Sequence, residues 1–239
     1  MFLELEDLTA GFVLPCIIDI KIGRRTWGPD ASAAKIRSAL QKYRYQSHVG
    51  FRIVGIRRPE KSAIEPSLSP AAATPLPSYH YVVYPKKFGR KLTPENVGSV
   101  GLSSFIPMPS CDGDENSDRS ASSKAVIAQA IDKLRDMSAR LEIGGGKHRL
   151  YSSSVLIVYE GYRPDDQKTK SSTDNDNSTT LSRKPLSEPL PPPRVEVKLI
   201  DFAHAHPPTD GSPRDDDFLF GLHSLISHMS SLLQSGDRK

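Results

Sequence analysis

Residues 15–23, PCIIDIKIG, constrain this chain more than any other stretch. Read as a strand bounded by Pro15 and Gly23, the run has a period of two, so Ile18 and Ile20 share one face and Asp19 and Lys21 share the other. The isoleucine face calls for a core. An ordinary buried strand has no use for an acid and a base two residues apart, so the second face must look at something polar.

The rest of the chain supplies partners for such a strand. Asp30 and Ser32 are both good N-caps for a helix over AAKIRSALQKY, with Ile36, Ala39, Leu40 and Tyr43 as its apolar stripe. GFRIVGI from Gly50 and YHYVVY from Tyr79 read as strands, being rich in β-branched and aromatic residues. SKAVIAQAIDKLRDMSARLE is an amphipathic helix with Ile127, Ile131, Leu134 and Leu141 on one side. SSVLIVYEG and VEVKLIDFAHA are apolar strands expected to pair, and DDFLFGLHSLISHMSSLL closes the chain as a core helix. Strands, a long helix, a strand pair and a terminal helix make an α+β pattern.

Three segments, residues 57–78, 107–123 and 163–193, are rich in Pro, Ser, Ala or charge and cannot bury enough apolar area to offset the entropy of ordering. They read as loops inserted into one fold over residues 1–239, because the elements beside them are too short for separate cores. A formal charge of +4, from 32 basic and 28 acidic residues, is too mild for a dedicated nucleic-acid binder, so no nucleic acid is expected. Two cysteines, Cys16 and Cys111, build no disulfide framework or zinc site. No stretch of about 18 apolar residues exists, so no membrane span is expected.

The chemistry-bearing residues fall into three groups. Asp201 ends the run VEVKLI, where a carboxylate at a strand mouth can hold a hard cation such as Mg²⁺ or simply cap the following turn. Asp19 and Lys21 offer an acid to orient or deprotonate a hydroxyl and a cation to offset phosphoryl charge. A structural ion pair is the commoner use of that spacing. Lys35 and Lys42, seven residues apart on a helix, present two amines about 10 Å apart, which suits a small polyanion or a plain solvated face. The dibasic pairs Arg24–Arg25 and Lys86–Lys87 are equally open.

PCIIDIKIG fits the P-x-x-x-D-x-K-x-G signature of the inositol polyphosphate kinase family, and IDFAHA resembles that family's D-F-A-H segment. LELEDL at 3–8 resembles the hinge before the signature, SSVLIVYEG the S-S-x-L-x-x-Y-E strand, and FGRKLT at 88–93 a further family element. The order is the family's own, and multikinases resemble the chain most, with RTWGPDAS similar to the plant and algal type; hexakisphosphate kinases are the nearest competitor. The resemblance implies a protein-kinase-like, SAICAR-synthase-like fold and an ATP- and Mg²⁺-dependent kinase of inositol polyphosphates, acting as a monomer in the nucleus or cytoplasm. It implies that Glu6, Asp7 and Leu8 meet the nucleotide and that Asp19 and Lys21 are catalytic. Asp19 would also contact ATP, and Asp201 would hold the metal and the ATP phosphates. Lys21, Lys35, Lys42, Lys86 and His204 would face the substrate.

One departure stands out: the family's smaller N-terminal lobe precedes the hinge, whereas Met1 here is followed at once by FLELEDL. The expectation is therefore a C-terminal catalytic lobe without its N-terminal partner, weak or inactive as a kinase by itself, with a non-catalytic remnant that still binds inositol phosphates as the alternative.

Overall fold

The computed structural model describes residues 4–61, 79–106, 117–144, 148–161, 193–208 and 211–235. At its centre is a five-stranded antiparallel sheet built from β1 (Pro15–Ile22), β2 (Phe51–Lys61), β3 (Tyr79–Tyr84), β5 (Ser154–Glu160) and β6 (Val195–Ile200), in the order β3-β2-β1-β5-β6. The short strands β4 (Arg149–Leu150) and β7 (Ala205–His206) form a separate pair. Helices α1 (Ala33–Lys42), α2 (Gln46–Val49), α3 (Lys86–Lys91), α4 (Ser117–Gly144) and α5 (Asp216–Ser235) complete the frame, with a wide π-helical turn over Val97–Leu102.

The period-two reading of β1 holds: Cys16, Ile18, Ile20 and Ile22 are buried, while Ile17, Asp19 and Lys21 are only partly covered. Phe51, Ile53 and Ile56 of β2 and Val155 and Ile157 of β5 extend the same buried layer, on which α4 and α5 pack with Ile127, Leu134, Phe218, Leu222 and Leu225. Ile53 and Ile56 lie three residues apart, an odd spacing that regular pleating would send to opposite faces. A bulge resolves this, because Asp19 pairs with Gly55 and Ile20 with Ile53, leaving Val54 as an extra residue. Burial pushes the Cys16 thiol up to about 11, which leaves it a small core hydrophobe rather than a nucleophile.

Three expectations are corrected. Residues 57–61 belong to β2 rather than to a loop, since they pair with β3 through Arg57↔Val83, Arg58↔Val82 and Pro59↔Tyr81. Residues 117–123 are the first turns of α4, not loop, because the helix starts ahead of its apolar stripe. The stripe proposed for α1 does not face the core: no residue of Ala33–Lys42 is buried, Leu40 is 52% exposed, and Tyr43, just past the helix, supplies the burial. Ser32 does cap α1, its hydroxyl accepting from the Lys35 backbone N–H. The remaining parts of the three expected loops, 62–78, 107–116 and all of 163–193 except Pro193, lie outside the described residues, as does Cys111.

Two backbone junctions fix how α5 crosses the sheet end. Gly50 has φ +78° and its carbonyl accepts from the Gly23 N–H at 2.8 Å. Gly221 sits so close that a Cβ there would lie 2.1 Å from the Gly50 carbonyl oxygen. Gly221→Ala must therefore push α5 off the strands, and a loss of about 1–3 kcal/mol is expected in chemical denaturation. On the same helix, burial holds the His228 imidazole below its ordinary 6.5, edge-on to Phe51 at 5.6 Å. The unfolded chain then takes up this proton at a higher pH than the folded one, so stability is full above about pH 6.5 and falls as the pH drops below it. His228→Phe should flatten that slope in melting curves taken from pH 8 to 5.

Candidate functional site

The face of β1 turned away from the core is where the polar residues converge. Asp19 lies opposite Gly55 on β2 and Leu156 on β5, while Lys21 lies opposite Arg52 on one side and Ser154 on the other, with Ile200 next in the row. Asp201 follows Ile200 directly, so the end of β6 comes to Lys21 across β5. The three residues, from two separate sequence motifs, thus meet at one end of the sheet.

Local backbone geometry holds them there. Ser152 and Asp201 are the two non-glycine residues with left-handed backbone, at φ 62° and 66°, among those described. Both stand at the same strand ends. The turn at Ser152 aims its carbonyl at the Lys21 ammonium, which donates to it, and its hydroxyl donates to the Thr26 carbonyl at 3.1 Å. The buried Ser153 hydroxyl donates to the Asp201 carbonyl at 2.9 Å, tying the end of β6 to the start of β5. Beyond Asp201 the chain runs into β7, whose partner β4 is pinned to the start of α5. Asp215 accepts from the Leu150 N–H at 2.6 Å and from the Phe218 N–H at 3.0 Å.

Electrostatics follow from burial. Desolvation raises Asp19 above the ordinary carboxylate range, against the pull of the Ser154 hydroxyl and the Lys21 ammonium, and Asp201 adds to the rise. Its Oδ1 is sealed from solvent with no hydrogen-bond partner among the described residues. Desolvation likewise depresses Lys21, which Asp201 and Asp19 oppose, while Arg52 and Lys86 push further down. A carboxyl held above its ordinary range beside an ammonium held below its own is a pair suited to proton handling. Asp201 itself is exposed.

Of the sequence-derived residues, Asp19, Lys21, Asp201 and Lys86 therefore form one group. The others stand outside it. Lys35 and Lys42 are exposed on α1 and share no hydrogen bond, ion pair or charge interaction with the group. Glu6 is exposed, Asp7 accepts from the Thr9 N–H at 2.9 Å and Thr9 hydroxyl at 2.7 Å, and Leu8 begins that turn. His204 is half-buried and its carbonyl accepts from the Tyr151 N–H at 3.1 Å. Sequence reasoning passed over Arg52 and Arg90. Arg52 alternates with Phe51 and Ile53 and so belonged on a polar face, but only strand pairing shows which residue it opposes.

The site's chemistry fits a hard divalent cation. The exposed Asp201 carboxylate at the end of β6, with Asp19 near it, supplies the one or two carboxylates that Mg²⁺ takes when phosphate oxygens and water complete its shell. Among the described residues no cluster of three or more His, Cys, Asp or Glu offers an all-protein cage.

The sequence profile described as "Inositol polyphosphate kinase" matches residues 2–230. Mouse inositol hexakisphosphate kinase 1 is 28% identical over 254 residues, covering 97% of this chain and 51% of that protein. Rat inositol polyphosphate multikinase is 30% identical over 188 residues, covering 79% of this chain and 39% of that protein. The chain thus spans about half or less of the length of these curated relatives. Among solved structures, the inositol phosphate multikinase of S. cerevisiae in complex with ADP and Mn²⁺ superposes with a TM-score of 0.63 at 24% identity, covering 96% of this chain and 82% of that one. That likeness establishes the fold as the α+β, protein-kinase-like one.

The left-handed backbone at Asp201 gives a direct test of the site's architecture. Asp201→Gly should be about 1 kcal/mol more stable than Asp201→Ala in urea denaturation, because only glycine takes φ 66° without a Cβ clash. Equal stabilities would show that the backbone there is unstrained.

Proposed function

The chain belongs to the inositol polyphosphate kinase family, and on that premise we propose that it transfers the γ-phosphoryl group of ATP to a hydroxyl of an inositol polyphosphate, as a multikinase acting on tris- and tetrakisphosphates. The observation that carries this reading is the convergence of Asp19, Lys21 and Asp201 at one sheet end, from motifs 180 residues apart, with the Lys21 ammonium held by the Ser152 carbonyl. Asp19, raised by burial, would take the proton of the attacking hydroxyl as its oxygen bonds to phosphorus and the bond to the β-phosphate oxygen breaks. Lys21 would offset the negative charge of the transferring group. Asp201 would hold Mg²⁺, which when bound would offset the charge of the nucleotide phosphates.

The hinge-like residues Glu6 and Asp7, both exposed, and the half-buried Leu8 would meet the nucleotide base. Lys86, His204 and the amines of Lys35 and Lys42 on α1 would meet substrate phosphates. The protein would act as a monomer in the nucleus or cytoplasm; among the described residues no helix is long and apolar enough to cross a membrane. A hexakisphosphate kinase making pyrophosphates is the second reading, supported by the 97% of this chain that aligns with the mouse hexakisphosphate kinase, against 79% for the rat multikinase.

The test is an assay of the 239-residue chain with ATP and Mg²⁺ against inositol tris-, tetrakis-, pentakis- and hexakisphosphate, products resolved by anion-exchange chromatography. Weak phosphorylation of the tris- and tetrakisphosphates is expected, in keeping with the weak activity the sequence reading gives this chain by itself, with Asp201→Ala lowering the rate by roughly 100-fold or more. Product from the hexakisphosphate alone would replace the multikinase reading with the second one.

A further inference from the structure

We infer that Arg52, with Arg90, Lys86 and Lys21, forms a built subsite for one phosphate of the acceptor, a phosphate other than the one being transferred. The identity of the acceptor rests on the functional reading above; the subsite rests on geometry. Arg52 stands directly across from Lys21 in the β1–β2 ladder, so two cations face each other on one side of the sheet, an arrangement that repels unless an anion lies between. A third cation, Arg90 of α3, acts on Arg52, and a fourth, Lys86 at the start of the same helix, acts on Lys21. Helix α3 packs against β2, which brings both to the same edge of the row.

Three other arginines of the fold have partners: Arg24 pairs with Asp217 at 2.9 Å, Arg58 with Glu60, and Arg57 stacks on Tyr81 at 3.8 Å. Arg52 is half-buried, and no hydrogen bond or ion pair joins the side chains of Arg52, Arg90 or Lys86 to another described residue. Beside Arg52 lies Tyr43, 2% exposed, whose hydroxyl has no hydrogen-bond partner among the described residues. Four cations against the two carboxylates Asp19 and Asp201 leave an excess of about two positive charges. A phosphate monoester, with about −1.5 to −2 charges near neutral pH, matches that excess, and a guanidinium fork grips its oxygens bidentately.

Topology says which phosphate this is. In the order β3-β2-β1-β5-β6, Asp201 ends β6 and Arg52 sits on β2, on opposite sides of the Asp19–Lys21 strand. At about 4.8 Å per strand the two columns are roughly 14 Å apart. The metal-bearing side belongs to the nucleotide, so the cation cluster on the β2 side belongs to the acceptor.

The experiment compares the full chain with Arg52→Gln, Arg52→Lys and Arg90→Gln by calorimetric titration with three probes: inositol hexakisphosphate, inorganic pyrophosphate, and a non-hydrolysable ATP analogue with Mg²⁺. Arg52→Gln should weaken hexakisphosphate and pyrophosphate binding at least 10-fold, leave the ATP analogue within twofold, and leave the melting temperature unchanged or raised. Arg52→Lys should recover only part of the loss. Unchanged hexakisphosphate affinity in a folded Arg52→Gln, or a loss confined to the ATP analogue, overturns the subsite. Should Arg52→Gln fail to fold, exposed Arg90→Gln decides on the same criteria. A chain that binds pyrophosphate through Arg52 yet neither binds nor phosphorylates inositol phosphates upholds the subsite and overturns the kinase reading. A chain that phosphorylates them with both variants silent does the reverse.

Discussion

The burial of one face of β1 is the interaction on which everything else rests. Ile18, Ile20 and Ile22 are completely buried beneath α4 and α5, between the strands that flank them on either side. Each such side chain contributes about 1.5–3 kcal/mol when removed from water. A slip of one residue would exchange that face for Asp19 and Lys21, so the register is strongly held. The position of the two charged residues on the far face is therefore a consequence of core packing, and the polar site inherits its rigidity from the isoleucines behind it.

Neighbouring strands adjust to that fixed element. The bulge at Val54 lets β2 keep both Ile53 and Ile56 in the core while bringing Arg52 opposite Lys21 and Gly55 opposite Asp19. Glycine at that position places no side chain over the carboxylate. On the other side, left-handed turns at Ser152 and Asp201 end β5 and β6 at the same level. Such conformations are disfavoured for residues with a Cβ and persist because hydrogen bonds from the Ser153 hydroxyl and the Lys21 ammonium hold them. Both sides spend stability to bring charge together, and repulsion among the cations is the part that a bound anion would relieve.

Most of the secondary structure was legible because its signals are local. The period of two in residues 15–22 and the helical spacing of Phe218, Leu222, Leu225 and Met229 predict elements that the structure contains. The misreadings were also local in origin. Residues 57–61 look like the head of a loop because Pro59 and the charges mask a strand that pairs with β3 and, at Arg57, also with β1, and the stripe on α1 predicts a buried face, whereas no residue of that helix is buried. The short helices α2 and α3 and the π-helical turn carry no periodic signal, being one to two turns long.

The residue types of the site were similarly divided. Asp19, Lys21 and Asp201 could be singled out because each sits at a position where its own strand's pattern makes a charge unexpected. Their meeting depends on β5 lying between β1 and β6, and the role of Arg52 depends on a bulge that no spacing rule announces. Sequence by itself determined most of the longer strands and helices and which residues are chemically able to act, since both follow from side-chain chemistry and short-range periodicity. Only the tertiary structure decided which of them share a face and an end of the sheet, because strand order, register and bulges are set by long-range packing of the core.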